Sequence, residues 1–225
     1  MTVKVLLAIP FHRTIPGDAL ESFMRIAADG CLYGKIFERK VAKGALLPKQ
    51  RNDLCQHAVA EGLTHVWFVD SDMILKTATL DLLLSASKPD TIVGALCFTQ
   101  RGTPSCYVIK EGFGLRAGAK VDSGLNPADI VPNKLRFAPE FLPDAEVASV
   151  DGIGMACTLI PVPLLERMSR PWFALPPSSL CDNVLGEDVY FCEHRPPDSH
   201  ILVLPQLTCG HIKEHVVWGP GGSEA

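Results

Sequence analysis

Three short apolar runs in the first 98 residues constrain most tightly which fold this chain can adopt. They are Val3 to Ile9, His65 to Val69 and Thr91 to Phe98. Continuous apolar runs of this length are typical of strands buried on both faces of a parallel sheet. Because segments with helical spacing lie between them, the order of elements predicts an α/β fold. We expect a twisted, mostly parallel central sheet flanked by helices.

The segments between these runs carry local start signals. Asp18 can cap one helix, and Pro48 stands at the first position of another that extends to Gly62. A further helix is predicted from Thr77 to Ser87, and the alternating stretch from Cys31 to Val41 predicts a second strand.

The second half of the chain is less regular. Residues 112 to 144 lose periodicity, which predicts irregular connections with at most a short antiparallel pair. Ordered elements are predicted again after this segment. They are a strand at residues 148–160, two short helices at 162–168 and 186–194, and a final strand at 200–207. We expect one domain over residues 1–218, followed by a flexible tail over 219–225.

Composition limits the class of protein. The chain has 21 Lys and Arg against 25 Asp and Glu, a net charge of −4, and its 47% hydrophobic content argues against a disordered chain. It contains no run of about 18 apolar residues, which a membrane span would need, and its N-terminus lacks the features of a secretory signal. Eight scattered cysteines without a CxxC pair favour reduced thiols and a cytoplasmic location.

The most informative motif is Asp70-Ser71-Asp72, which directly follows a buried strand. Ligands of open α/β sheets bind beyond the carboxyl ends of the strands. Two carboxylates placed two residues apart on extended chain point the same way and repel each other unless a divalent cation lies between them. The motif therefore predicts a metal site, with a loop of two solvated aspartates, one capping the next helix, as the alternative.

Further motifs follow in order along the chain. An Arg51-Asn52 helix precedes the Asp-x-Asp strand, and later come a glycine-bearing strand, a Pro-Trp-Phe loop, a Gly-Glu-Asp motif and a Cys-Gly-His motif. In this order, from the first strand to His211, they resemble the GT-A fold glycosyltransferases, which use nucleotide sugars. The resemblance is to small, single-domain, family-2-like transferases of the kind found in bacteriophages.

The resemblance implies a metal-dependent donor site. It places Mn²⁺ or Mg²⁺ on Asp70, Asp72 and His211, and it favours a UDP-sugar as the donor. Contacts with the nucleotide sugar would come from Pro10, Phe11, His12, Arg51, Asn52, Asp70, Ser71, Gly152 and Gly154.

The residues alone leave structural alternatives open. Arg51 and Asn52 could form an exposed first helical turn, and His12 could be an ordinary loop residue. Gly152 and Gly154 could simply end a strand.

The Glu187-Asp188 pair is the candidate for acid–base chemistry. In an inverting sugar transfer, one carboxylate takes the proton of the acceptor hydroxyl while that hydroxyl attacks the anomeric carbon. The resemblance assigns this role to Asp188, with Glu187 in support. The alternative is an acidic pair in a first helical turn that is stabilised by the helix dipole.

A basic segment lies between Lys35 and Arg51, where six cations accompany the single acid Glu38. One interpretation is a solvated face beside a diphosphate site. Another is contact with a polyanionic acceptor. The resemblance includes enzymes that glycosylate hydroxymethylated bases in phage DNA, so DNA as well as a glycan is an acceptor that it implies, in the host cytoplasm.

Two other functions compete with sugar transfer. Asp70 could be the nucleophile of an Asp-x-Asp phosphatase or phosphotransferase, although the motif then belongs on the first strand. The chain could also be a non-catalytic nucleotide-sugar-binding module. The donor sugar, the acceptor, the anomeric outcome and the oligomeric state do not follow from the sequence.

Overall fold

The helices and strands follow the order that the apolar runs predict. The computed structural model describes residues 2–12, 14–32, 34, 36–44, 46–98, 104–115, 130–139, 146–175, 186–212 and 216–217. The first half contains β1 (Val5–Phe11), α1 (Gly17–Leu32), β2 (Ile36–Lys43), α2 (Leu47–Ala60), β3 (His65–Val69), β4 (Met73–Ile74), α3 (Thr79–Ala86) and β5 (Thr91–Leu96). The second half contains β6 (Cys106–Leu115), β7 (Ile130–Pro139), β8 (Ala148–Val150), β9 (Gly152–Ile153), β10 (Cys157–Pro161), α4 (Val162–Arg167), α5 (Glu187–Glu193), β11 (His200–Thr208), β12 (Gly210–Ile212) and β13 (Val216–Val217).

A seven-stranded sheet forms the centre of the described structure, in the order β2-β1-β3-β10-β5-β11-β8. Strands β1, β2 and β3 are parallel to one another, and β5 is parallel to β11. Strand β10 is antiparallel to both β3 and β5, so these two groups run in the same direction. Five of the seven strands are therefore parallel, which confirms the expected mostly parallel α/β sheet in a single domain.

Both faces of this sheet are buried, which explains why its strands have continuous apolar sequences. Along β1, Leu6 and Ala8 pack into one core cluster, while Val5, Leu7 and Ile9 pack into the other. Helix α2 covers the first face and helix α1 covers the second.

Six cysteines lie in this interior. Cys55, Cys97, Cys106, Cys157, Cys192 and Cys209 are buried free thiols. No helix in the described part of the chain is long and apolar enough to cross a membrane.

The largest departure from the expectation concerns residues 148–160. The sequence predicts one strand there, whereas the structure contains β8, β9 and β10 in three different pairings. Strand β8 pairs with β11, β9 pairs with β6, and β10 enters the middle of the sheet between β3 and β5. Asp151 and the segment around Gly154 are the breaks that separate the three strands.

Strands β6 and β7 form an antiparallel pair that includes part of the irregular middle segment. The pair is longer than the short one that the sequence predicts. Strands β6 and β7 contain ten residues each and form a second sheet with β9. The remainder of residues 112–144 and the predicted tail 219–225 lie outside the described residues. The boundaries predicted for the domain therefore stay a prediction.

Candidate functional site

The Asp70-Ser71-Asp72 loop is held at the carboxyl end of β3 by backbone hydrogen bonds. The Asp70 amide donates to the carbonyl of Ala156, at 3.0 Å, and the Met73 amide donates to the carbonyl of Asp70, at 3.2 Å. The Ile212 amide donates to the carbonyl of Asp72, at 2.7 Å. The antiparallel entry of β10 beside β3 thus fixes the start of the loop, and β12 fixes its end.

This loop faces the end of β1 across a cavity of about 210 Å³. The two segments meet because β1 and β3 are parallel neighbours and end at the same edge of the sheet. Six predicted donor-site residues line the cavity together: Pro10, Phe11, His12, Asp70, Ser71 and Asp72.

Asp72 and His211 form a pair beside this cavity. His211 Nε2 lies 3.2 Å from Asp72 Oδ2, and His211 Nδ1 lies 2.8 Å from the carbonyl oxygen of Phe98. Because a carbonyl can only accept a hydrogen bond, Nδ1 carries a proton. In the imidazolium form Nε2–H donates to the Asp72 carboxylate, whereas in the neutral form Nε2 presents a lone pair that can bind a cation together with that carboxylate.

Two lone-pair donors that converge in this way suit a divalent cation. The histidine also has the outer-shell partner that metal-binding histidines usually have, with its second ring nitrogen donating to a backbone carbonyl. Among the described residues, no group of three or more His, Cys, Asp or Glu side chains is arranged to hold a metal by itself. The chain thus offers Asp72 and His211 as a partial site that substrate oxygens or water would complete.

Arg51 is a buried cation between two acidic segments, with its side chain only 2% exposed. Its Nη2 donates a 2.9 Å hydrogen bond to Asp70 Oδ1, and its Nε lies 3.4 Å from Glu187 Oε1. The guanidinium carbon lies 5.2 Å and 5.9 Å from the ring centroids of Phe68 and Phe173. The guanidinium thus joins the loop after β3 to the first turn of α5.

The resemblance predicts that Arg51 contacts the nucleotide sugar. Arg51 does not belong to the described lining of the 210 Å³ cavity, and its partners are the two carboxylates. The alternative of an exposed first helical turn does not describe Arg51 either, because the side chain is buried. A direct nucleotide contact stays a prediction.

The Asn52 side chain hydrogen-bonds to the backbone of the loop after α4. Its Oδ1 accepts the amides of Trp172 and Phe173, at 2.9 and 3.2 Å. Its Nδ2 donates to the carbonyls of Pro48 and Phe173, at 2.8 and 2.7 Å. Because four backbone groups occupy this amide, Asn52 positions the loop in this structure. The predicted nucleotide contact of Asn52 stays untested.

An aromatic stack connects this loop to the candidate base. The Phe173 ring stacks on Phe191 of α5, with centroids 4.7 Å apart, and meets Phe68 of β3 edge-on at 5.6 Å. Glu187 and Asp188 lie in the first turn of the same α5. The stack therefore fixes where these carboxylates stand relative to β3.

Both carboxyl groups of the Glu187-Asp188 pair have raised pKa values. Burial is the main cause of the raised pKa of Glu187, with Arg51 opposing it and the charge of Asp188 adding to it. Burial is also the main cause of the raised pKa of Asp188, which the hydrogen bond from the Val189 amide opposes. A raised pKa makes either carboxylate a stronger proton acceptor, as a general base requires.

The two glycines predicted to approach the donor have protein neighbours in the structure. A β-carbon at residue 152 would overlap the ring of Tyr107. At residue 154 a β-carbon would lie 3.4 Å from Ser105 and 3.5 Å from Asp188 Oδ2. Gly152 is therefore explained by packing against Tyr107, whereas Gly154 lies directly against the candidate base. Their contact with a donor stays a prediction.

Two site features were missed by the sequence reasoning. Gln50 accepts the Phe11 amide at 3.0 Å and donates to the Gly44 carbonyl at 2.8 Å, so it fixes one wall of the cavity. In the sequence, only the position of Gln50 directly before Arg51 indicates that it lies near the site. The Phe98 carbonyl that orients His211 is a backbone group, so the identity of the residue does not predict this contact.

The basic segment is less uniformly exposed than its composition indicates. Arg51 is buried and paired with Asp70, and Lys49 pairs with Asp53 four residues along α2. Lys35 lies outside the described residues.

We expect Arg51→Met to reduce the free energy of unfolding by about 3 kcal/mol, because it leaves Asp70 and Glu187 without their shared cation. Urea denaturation measures this loss. Lys49→Met removes a cation from an exposed ion pair in the same helix and should cost about 1 kcal/mol or less. Equal losses in the two variants would contradict the role given to Arg51.

Gly152→Ala should destabilise the protein by about 1–3 kcal/mol, because the added methyl group overlaps the Tyr107 ring. Gly154→Ala is the matched control, since its β-carbon meets only ordinary contacts, and it should cost less. The loss should shrink when Gly152→Ala is combined with Tyr107→Leu. Chemical denaturation of the wild type, of the single variants Gly152→Ala, Gly154→Ala and Tyr107→Leu, and of the double variant tests this, and strict additivity would count against the packing explanation.

Comparison with known proteins supports the fold. No protein-family model matches the chain, and comparison with curated proteins by sequence finds no match. Among solved structures, the chain is similar to A197 from STIV, with a TM-score of 0.56, 15% identity, and coverage of 94% of this chain and 86% of that one.

It is also similar to GalNAc-T7, solved with UDP, GalNAc and Mn²⁺, with a TM-score of 0.55 and 10% identity. That match covers 94% of this chain and 43% of the GalNAc-T7 chain, so this protein spans less than half of that neighbour. At these identities the similarity concerns the fold. The predicted GT-A type of α/β fold is confirmed at that level.

Proposed function

We propose that this protein is a metal-dependent glycosyltransferase that moves a sugar from a nucleotide sugar to a hydroxyl acceptor. The observation that carries the proposal is the meeting of Asp72 and His211 at the rim of a cavity lined by the ends of β1 and β3. The GT-A type of fold supports it, and so does the neighbour solved with UDP, GalNAc and Mn²⁺. A UDP-sugar and Mn²⁺ are accordingly the donor and cofactor that we propose.

Asp72 and His211 would hold the cation, with Asp70 at the edge of the site. Bound there, the cation would neutralise the charge that develops on the leaving diphosphate. Asp70 lines the cavity, but Arg51 occupies its Oδ1. We therefore assign Asp70 to contacts with the ribose or with metal-bound water.

Asp188 would act as the general base. The acceptor oxygen forms a bond to the anomeric carbon, the bond from that carbon to the diphosphate oxygen breaks, and the hydroxyl proton passes to the Asp188 carboxylate. Burial raises the pKa of this carboxyl, which strengthens it as a base. Glu187, held near Arg51, keeps the first turn of α5 in place.

The donor assignment is tested by thermal unfolding. UDP with Mn²⁺ should raise the melting temperature, because a ligand at about 100 times its Kd adds about 2.7 kcal/mol of stability. His211→Ala should abolish the part of the shift that depends on Mn²⁺. His200→Ala, which removes an exposed histidine at the start of β11, should keep it.

Absence of a shift with every nucleoside diphosphate and divalent cation would contradict the donor site. If the shift is present, release of free sugar and UDP from the donor separates an enzyme from a binding module. This release should be lost in Asp72→Ala.

Asp188→Asn should lower the transfer rate by about 100- to 10,000-fold while UDP binding is retained. In the wild type, the rate should rise with pH through a midpoint above the ordinary aspartate pKa of 3.8, because burial raises this pKa and the base must be ionised. Glu193→Gln changes an exposed acid of the same helix and should leave the rate unchanged. An active Asp188→Asn variant would end the assignment.

Asp188→Asn, which should lower the transfer rate, should raise the stability of the protein at neutral pH. Because the pKa of Asp188 is higher in the folded protein than in the unfolded chain, its ionisation lowers stability as pH rises through the folded pKa. Asp188→Asn should therefore be more stable relative to the wild type at neutral pH than at pH values below 3.8. Denaturation curves at the two pH values measure the difference.

A further inference from the structure

Two surface clefts lie beside the proposed donor cavity and share a rim at the start of α2. Their volumes are about 510 and 710 Å³, and Leu46 and Lys49 line both. The smaller cleft shares Gly44 and Gln50 with the donor cavity. The three cavities thus adjoin one another around the start of α2.

Three of the seven large apolar side chains that are exposed in the described part of the chain lie in this region. Leu46 is 65% exposed, and Val41 and Leu175 are each 50% exposed. All three line one or both of the clefts. Large apolar side chains that protrude together from a surface mark an interaction site more often than singly scattered ones do.

Cations surround these apolar side chains. Lys40 and Lys43 line the smaller cleft and Arg170 lines the larger one, where its guanidinium carbon lies 4.5 Å from the Trp172 ring centroid. Within the described part of the chain, none of the three has a carboxylate within ion-pair distance. These residues therefore form a positively charged area on a chain whose net charge is −4.

We propose that this basic-apolar surface, formed by Val41, Leu46, Leu175, Lys40, Lys43 and Arg170, docks the protein reversibly onto an anionic lipid bilayer. Its cations would meet lipid phosphates while the three aliphatic side chains enter the interfacial layer. A nucleic acid would satisfy the cations through its phosphates but offers no aliphatic layer to the leucines. The proposal does not depend on the glycosyltransferase assignment.

Vesicle co-sedimentation tests the docking. The wild-type protein should bind phosphatidylcholine vesicles that contain phosphatidylglycerol, bind more weakly at high salt, and bind poorly to phosphatidylcholine alone. Lys40→Ala combined with Lys43→Ala should weaken binding by about 30-fold, at about 1 kcal/mol for each cation near the surface. Leu46→Ser should weaken it by about tenfold through lost apolar insertion.

Matched controls change the same residue types elsewhere. Met24→Ser removes an exposed apolar side chain of α1, and Arg25→Ala combined with Lys88→Ala removes two cations outside the surface. All of these should bind as the wild type does. No binding to anionic vesicles at low salt would overturn the proposal. Equal weakening by the control variants would overturn it as well.

Duplex DNA provides the comparison with a purely electrostatic partner. Lipid docking predicts that Leu46→Ser weakens vesicle binding at unchanged salt. If the protein instead binds DNA as tightly as vesicles and Leu46→Ser affects neither, the surface is a general polyanion site and lipid docking is wrong.

Discussion

A buried guanidinium organises the candidate site. Arg51 is almost wholly removed from water and is surrounded by Asp70, Glu187 and two phenylalanine rings. A buried cation without compensating charge would cost several kcal/mol, so the fold has to bring carboxylates to it. Because Asp70 follows β3 and Glu187 begins α5, these two contacts tie the predicted metal loop and the helical turn that carries the predicted base to the same side chain.

The neighbouring residue of α2 extends this organisation through uncharged contacts. Asn52 holds the backbone of Trp172 and Phe173, and Phe173 then packs between β3 and Phe191 of α5. The Arg-Asn pair thus positions three segments that are distant in sequence. The structure gives the pair this architectural role. Burial raises the pKa values of Glu187 and Asp188.

The features that could be predicted from sequence are local or follow from parallel topology. The runs of β1 and β3 identify strands buried on both faces, and parallel neighbours bring Pro10 to His12 and Asp70 to Asp72 to one edge. The insertion of β10 and the burial of Arg51 could not be predicted, because they depend on partners from distant parts of the chain. Gly152 shows the same limit, since the reason for the missing side chain is the Tyr107 ring.

We propose that the end of β3 is a donor site in which Asp72 and His211 hold a divalent cation. A crystal structure of the protein with Mn²⁺ and UDP, with the metal located by anomalous scattering, tests it most directly. We expect Mn²⁺ bonded to Asp72 Oδ2, His211 Nε2 and diphosphate oxygens, with the nucleotide in the cavity between β1 and the loop after β3. Manganese bound elsewhere, or UDP outside this cavity while Asp72 and His211 remain in direct contact, would contradict it.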